Sequence, residues 1–231
     1  MDQLRKVPLK IILSIFFSLT LLVFIPDTIL ASTYYVSKQG NNSNGLSWTT
    51  SCNELNQINW STVKPGDTIE IDGSSTSVTY STSLSIGSSG TGGSPITISK
   101  SQSTGHIGTP LTTGGITVSG NYITVRGLTV KKSSGDAVTV KGSDFITLDS
   151  LVVEHPGGRG IKADGYSNPV NNITIKNSRI DTTDESHGYV QADNIYLQYG
   201  SNSVIEGNNI ANQNGYNFNG YGTSKSHIDL I

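Results

Sequence analysis

The sequence predicts an all-β solenoid, a parallel β-helix, on three observations: alternating strands, their repetition, and a composition poor in charge. From Pro95 onward, apolar and polar residues alternate in short runs broken by Gly, Asn and Asp, the pattern of half-buried strands. The runs Ile116-Thr-Val118, Val138-Thr-Val140, Ile161-Lys-Ala163, Ile195-Tyr-Leu197 and Ile228-Asp-Leu230 fall one under another at steps of 22, 23, 34 and 33 residues. A second ladder follows with Ile123-Thr-Val125, Ile146-Thr-Leu148, Ile173-Thr-Ile175 and Ser203-Val-Ile205, each trailed by a third apolar position, Val130, Val153, Ile180 and Ile210. A period in the twenties with two or three strands per repeat and no helical stripe describes a coil of strands. The rival at this period, a leucine-rich repeat, needs a Leu and Asn consensus that is missing. Charged residues are 14% of the chain and Gly 26 of 231, so the surface is built from Ser, Thr, Asn and Gly. Such a composition also suits disorder, which the periodicity excludes. A net charge of −2 provides no basic field for nucleic acid, and the single Cys52 precludes an internal disulfide framework.

The amino-terminal stretch is of another kind. Arg5, Lys6 and Lys10 precede an apolar run from Ile11 to Ile25, and Ile29-Leu30-Ala31 offers a small residue for cleavage. Residues 1–31 therefore read as a secretory signal peptide, since the apolar run of about 15 residues falls short of the roughly 20 needed to span a bilayer. No membrane partner is expected once it is removed. Residues 32–231 then form one domain, with an N-terminal cap over about 32–66 and coils over about 67–231. Ser51-Cys-Asn-Glu54 has capping-box spacing, and Leu55 and Ile58 supply an apolar face, predicting a short N-terminal capping helix from Ser51 to about Trp60. Ile231 falls inside the strand that begins at His227, so the reading expects a truncated chain with further rungs beyond it. The sequence does not set the oligomeric state.

The segments Thr33-Tyr-Tyr-Val-Ser37, Gly40-Asn-Asn-Ser-Asn-Gly45, Ser47-Trp48 and Lys64-Pro-Gly-Asp-Thr-Ile69 resemble the opening of secreted bacterial right-handed parallel β-helix proteins of the pectate-lyase-like superfamily. The resemblance implies that fold for the whole mature chain. It does not imply one reaction, because the superfamily holds lyases, hydrolases, epimerases and binders. The Asn-Thr-Asp, Asp-Asp, Gly-His-Gly and Arg-Ile-Lys motifs of its polygalacturonase-like branch are missing, as is the Arg-rich signature of its major pectate lyase family. Neither branch's catalytic residues can be carried over.

Stacked repeats let outward positions be read as columns. The middle column is Thr117, Thr139, Lys162, Tyr196 and Asp229; the one before it Gly115, Ala137, Gly160, Asn194 and His227; the one after it Ser119, Lys141, Asp164, Gln198 and Ile231. Early rungs are bland and the last three carry chemistry. The last two coils are longer by about eleven residues, inserted over Asp181 to Asp193 and Asn212 to Ser226, where loops on a regular scaffold carry function. The second insertion brings Tyr216, Phe218 and Tyr221.

Two chemistries suit such a groove. Elimination at a uronate needs a base beside a cation that neutralises the sugar carboxylate. Lys162 or Arg159 are the expected bases, and Asp164, Asp193 and Asp229 the expected Ca²⁺ ligands. Asn194, Tyr196, Gln198, His227, Tyr216 and Tyr221 are the expected substrate contacts, with acidic polysaccharide such as pectate or alginate as partner. Glycoside hydrolysis instead needs two carboxyl groups about 5 to 9.5 Å apart, which Asp164 or Asp193 with Asp229 would supply. A non-catalytic carbohydrate-binding or cell-surface solenoid is the reading of a different class. The same residues have plain uses too: Asp and Asn serve turns, and Lys141 is a solvated charge.

Overall fold

Alternation with period two decides the architecture. The computed structural model describes residues 30–182, 193–211 and 228–230. The expected signal peptide up to residue 29, and the loop residues Asp184, His187, Tyr216, Phe218, Tyr221 and His227, lie outside them. Sheet A stacks Thr33–Val36, Thr68–Ile71, Ile96–Lys100, Ile123–Arg126, Ile146–Asp149, Ile173–Lys176 and Val204–Glu206. Sheet B stacks Ser77–Tyr80, Thr109–Thr112, Thr129–Lys131, Val152–Glu154, Arg179–Asp181 and Asn209–Ala211. Sheet C stacks Leu84–Ile86, Ile116–Val118, Val138–Lys141, Ile161–Asp164, Ile195–Gln198 and Ile228–Leu230. From Thr68 onward the chain visits A, B and C in turn, so each coil adds one parallel strand to each sheet. This is the expected parallel β-helix. Its ladders sit in the register read from the sequence: Ile116 lies opposite Val138, Val138 opposite Ile161, Ile161 opposite Ile195 and Ile195 opposite Ile228.

Inward residues stack into one apolar core. Ile69, Ile98, Val125, Leu148 and Ile175 in sheet A meet Val118, Val140 and Ala163 in sheet C, all closed off from water. Each buried Val, Leu or Ile contributes about 1.5–3 kcal/mol, so a coil is stabilised by a handful of aliphatic side chains and by its neighbours' backbones. Outward positions stack as well. Thr33, Thr68, Thr97, Thr124, Thr147 and Thr174 form one file, and Arg126, Asp149, Lys176 and Glu206 alternate in sign down the next, both favourable cross-strand pairings.

Two corners are sharp because single residues take the left-handed conformation. Between A and B these are Gly127, Ser150, Asn177 and Gly207; between C and A, Tyr122, Phe145, Asn172 and Asn202. Small polar side chains then satisfy the turned backbone: Ser178 Oγ donates to the Lys176 carbonyl at 2.9 Å and accepts from the Leu151 amide at 3.0 Å. The third corner, from B to C, also has left-handed residues, Gly115, Lys132 and His155, but its connections vary in length. Both long insertions arise there.

The expected helix from Ser51 is a single 3₁₀ turn, Leu55–Gln57, with Leu55 buried. The capping box does not form because both side chains have stronger calls on them. Ser51 Oγ donates to the Trp48 carbonyl at 2.8 Å, and the Glu54 carboxylate takes Lys38, Ser81 and Thr82. Burial works to raise that carboxyl, but the hydrogen bonds from Lys38, Thr82 and Ser81 outweigh it and bring it down to about 2. No helix among the described residues is long and apolar enough to cross a membrane.

Candidate functional site

Sheet C carries the chemistry on its outer face, beside the irregular corner. Thr117, Thr139, Lys162, Tyr196 and Asp229 follow one another in register, so the middle column is as read. The side chain of Asp229 lies outside the described residues. Ahead of the strands, the Gly160 amide donates to the Asp193 carbonyl at 2.9 Å, which sets Arg159 and Asp193 side by side on adjacent coils. Gly160 permits this approach, because a Cβ there would lie 2.5 Å from the Asn194 carbonyl oxygen and from Ile180 Cγ2.

Arg159 is held from three sides. Its backbone amide donates to Asp136 Oδ1 at 2.8 Å, its Nε donates to Asp193 Oδ2 at 3.1 Å, and its guanidinium lies 4.4 Å from the centre of the Tyr196 ring. The Asp193 side chain is only 3% exposed, so it anchors the arginine from within. Nε and one face are thus engaged, while the two Nη groups carry no hydrogen bond among the described residues. A guanidinium oriented in this way presents its fork for a planar anion. Lys162 stands next to Tyr196 in register and its Nζ lies 2.9 Å from Asp164 Oδ2. The hydrogen bond from Lys162, joined by the Tyr166 amide, holds the Asp164 carboxyl below the usual carboxylate range.

The structure thus brings together Arg159, Asp193, Tyr196, Lys162 and Asp164, with half-buried Gln198 two positions beyond Tyr196. It separates others. Asn194 is 1% exposed, its Oδ1 accepting from Thr182 Oγ1 at 3.1 Å, so it does not face a substrate. Alternation holds only within a strand, and at the corner Ala137, Gly160 and Asn194 all turn inward together. The expected calcium set does not assemble. Asp164 and Asp193 lie five register positions apart, on the order of 15 Å along the strand, and each is engaged by a cation. Among the described residues no three His, Cys, Asp or Glu side chains gather as a metal site. Tyr216, Tyr221 and His227 fall outside the described residues.

Tyr166 and Tyr199 were not among the expected residues. Both are exposed at the far end of sheet C with rings 6.0 Å apart. The signal was present: each is the first or second residue past a strand whose register was already legible.

A sequence model of the family described as a right-handed beta helix region matches residues 114–229. The chain belongs to that family. No curated protein matches it. Among solved structures, this β-helix is similar to a rhamnogalacturonan lyase at 18% identity and a TM-score of 0.53, over 77% of this chain and 51% of the other. It is also similar to a GH136 lacto-N-biosidase from Eubacterium ramulus at 15% identity and a TM-score of 0.50, over 75% of this chain and 42% of the other. An alginate lyase from Paenibacillus sp. matches at 21% identity and a TM-score of 0.47, over 67% and 57%. The chain spans about half the length of these proteins, and the likeness to the first two shows the fold alone.

Proposed function

We propose that this β-helix is a secreted protein that acts on an acidic polysaccharide, as a lyase that eliminates across uronate residues. One observation carries the reading: Arg159, clamped by Asp193 and stacked on Tyr196, presents Nη groups that carry no hydrogen bond among the described residues, beside a second cation, Lys162. A uronate carboxylate fits the guanidinium fork, and its ring fits beside Tyr196. The folds that this chain shares belong to proteins named for rhamnogalacturonan cleavage and for release of lacto-N-biose, which favours a carbohydrate. The described aspartates do not fit a calcium site, so the carboxylate is neutralised here by Arg159.

In the elimination Lys162, a cation in its salt bridge to Asp164, first gives its proton to solvent, and its amine then removes the proton beside the carboxylate. The bond to the glycosidic oxygen breaks, a carbon–carbon double bond forms, and the departing oxygen takes a proton from solvent. Asp164, held ionised by Lys162, does not suit the protonated acid that hydrolysis needs. The second reading is a non-catalytic binder, favoured by the same salt bridge, which keeps Lys162 a donor.

The test is ultraviolet absorbance of unsaturated products from pectate and alginate. We expect Arg159→Gln to lower kcat/KM about a hundredfold, and Lys162→Met to abolish turnover while binding persists. Binding by the intact protein without absorbance from any acidic polymer would leave the binder.

A further inference from the structure

Tyr166 and Tyr199 belong neither to the core nor to the cation patch. Asp164 lies opposite Gln198, and the Gly165 amide donates to the Gln198 carbonyl at 2.9 Å, so the two tyrosines emerge side by side on adjacent coils. The residues are 77% and 52% exposed, with rings inclined at 58° and 6.0 Å between centres. Tilted rings at that separation leave broad faces open to solvent.

The positions are held rather than incidental. The Tyr166 amide donates to Asp164 Oδ1 at 3.0 Å, and the other oxygen of that carboxylate holds Lys162. Tyr199 has φ 52°, a backbone conformation that disfavours a bulky side chain and is met at functional surfaces. Asn occupies the left-handed positions 172 and 202 on the same side of the coil, where it is the easier residue. Tyr122 and Phe145 make a contrast: they too are left-handed, but their rings lie face to face at 4.6 Å and 4°, each covering the other.

We propose that Tyr166 and Tyr199 form an aromatic subsite for a further sugar of the chain held at Arg159, so that the polysaccharide lies along the strands of sheet C and crosses the coil instead of following its axis. The inference rests on the proposed function. Its occupant follows from the two ends of the surface: cations at one end take a carboxylate, and open aromatic faces at the other take the C–H face of a sugar ring. Tyr196 and Tyr199 are separated by three strand positions, roughly 10 Å, so the occupant is an oligosaccharide and not a single sugar.

Calorimetric titration of the full chain with oligogalacturonates and alginate oligosaccharides of increasing length tests this. Wild-type affinity rises with length. The variant Tyr166→Ser/Tyr199→Asn, whose Asn suits the left-handed backbone, binds the disaccharide as wild type does and the hexasaccharide about tenfold more weakly. Tyr166→Phe/Tyr199→Phe retains the long-chain affinity. Equal loss at every length, or no loss on the hexasaccharide, overturns the subsite. If the subsite alone is wrong, Arg159→Gln weakens every length while the tyrosine variant matches wild type. If wild type binds none of these oligosaccharides, the acidic-polysaccharide reading fails and the subsite with it.

Discussion

Asp164 sets how the patch responds to acid. Lys162 and the Tyr166 amide stabilise its ionised form, so its folded-state value lies below the value of about 3.9 for an unfolded chain. The stabilisation is therefore fully present above the unfolded value and is lost as pH falls through the folded one. With Asp164 29% exposed, the pair contributes less than about 1 kcal/mol to stability. Its effect on the site is larger, because protonation frees Lys162 and loosens the Tyr166 amide. We expect oligosaccharide affinity at fixed salt to be flat from neutral pH to about 5 and to change below about 4, and Asp164→Asn to remove this part of the profile. Glu154 is lowered first by Lys131, with burial opposing and Arg179 assisting, and Glu54 is brought down to about 2. Both add acid lability in the same direction, so a thermal midpoint measured from pH 6 to pH 2 falls in stages, with the Glu54 turn the last to go.

At the scale of strands and corners, the left-handed positions are where single substitutions tell most. Gly127, Ser150, Asn177 and Gly207 occupy one corner, coil after coil. Serine at φ 55° bears a steric penalty that glycine lacks, although Ser150 Oγ recovers part of it through Asp149 Oδ1 at 2.9 Å. Ser150→Gly should leave stability within about 1 kcal/mol of wild type, whereas Ser150→Val should cost about 2 kcal/mol or more, read by denaturant unfolding. The same distinction between strand and corner explains what the sequence disclosed. Within strands, side-chain direction has period two, so Ile116, Val138, Ile161, Ile195 and Ile228 aligned correctly, and Lys162 and Tyr196 were placed on the outer face. One residue earlier the chain bends, the rule lapses, and Asn194 turns inward against Thr182. Columns also fix the rung but not the reach: Asp164 and Asp193 were assigned to one ion although they stand at opposite ends of the strand. Arg159 was found for its charge, but its clamp by Asp193 and Tyr196 depends on a corner geometry that Gly160 permits and no periodicity reveals.

For the whole molecule, the decisive property is that each coil meets only its neighbours, so stability is close to a sum over coils and interfaces. This makes an internal deletion informative. Removing residues 116–137 joins Gly115 to Val138 and takes out one strand from each sheet. Leu84, formerly opposite Ile116, then meets Val138, since Val138 was opposite Ile116 from the other side. Ile96 meets Ile146 by the same substitution through Ile123, and Leu111 meets Val152 through Thr129. All three sheets close in register, and Arg159, Lys162, Asp164, Tyr196 and the tyrosine pair stay on adjacent coils. The shortened chain should keep its strand content by far-ultraviolet circular dichroism and unfold cooperatively at a somewhat lower midpoint; it also loses Asp136, which holds the Arg159 amide, so its oligosaccharide affinity falls although the register is kept. Removing residues 117–137 instead leaves one extra residue before Val138. In a strand, a slip of one turns the apolar face outward, so this variant must bulge at the junction or expose Val138 and Val140. We expect it to lose cooperativity and to aggregate. If the two deletions behaved alike, coil register would not be what specifies this fold, and the placement of the patch by register would lose its basis.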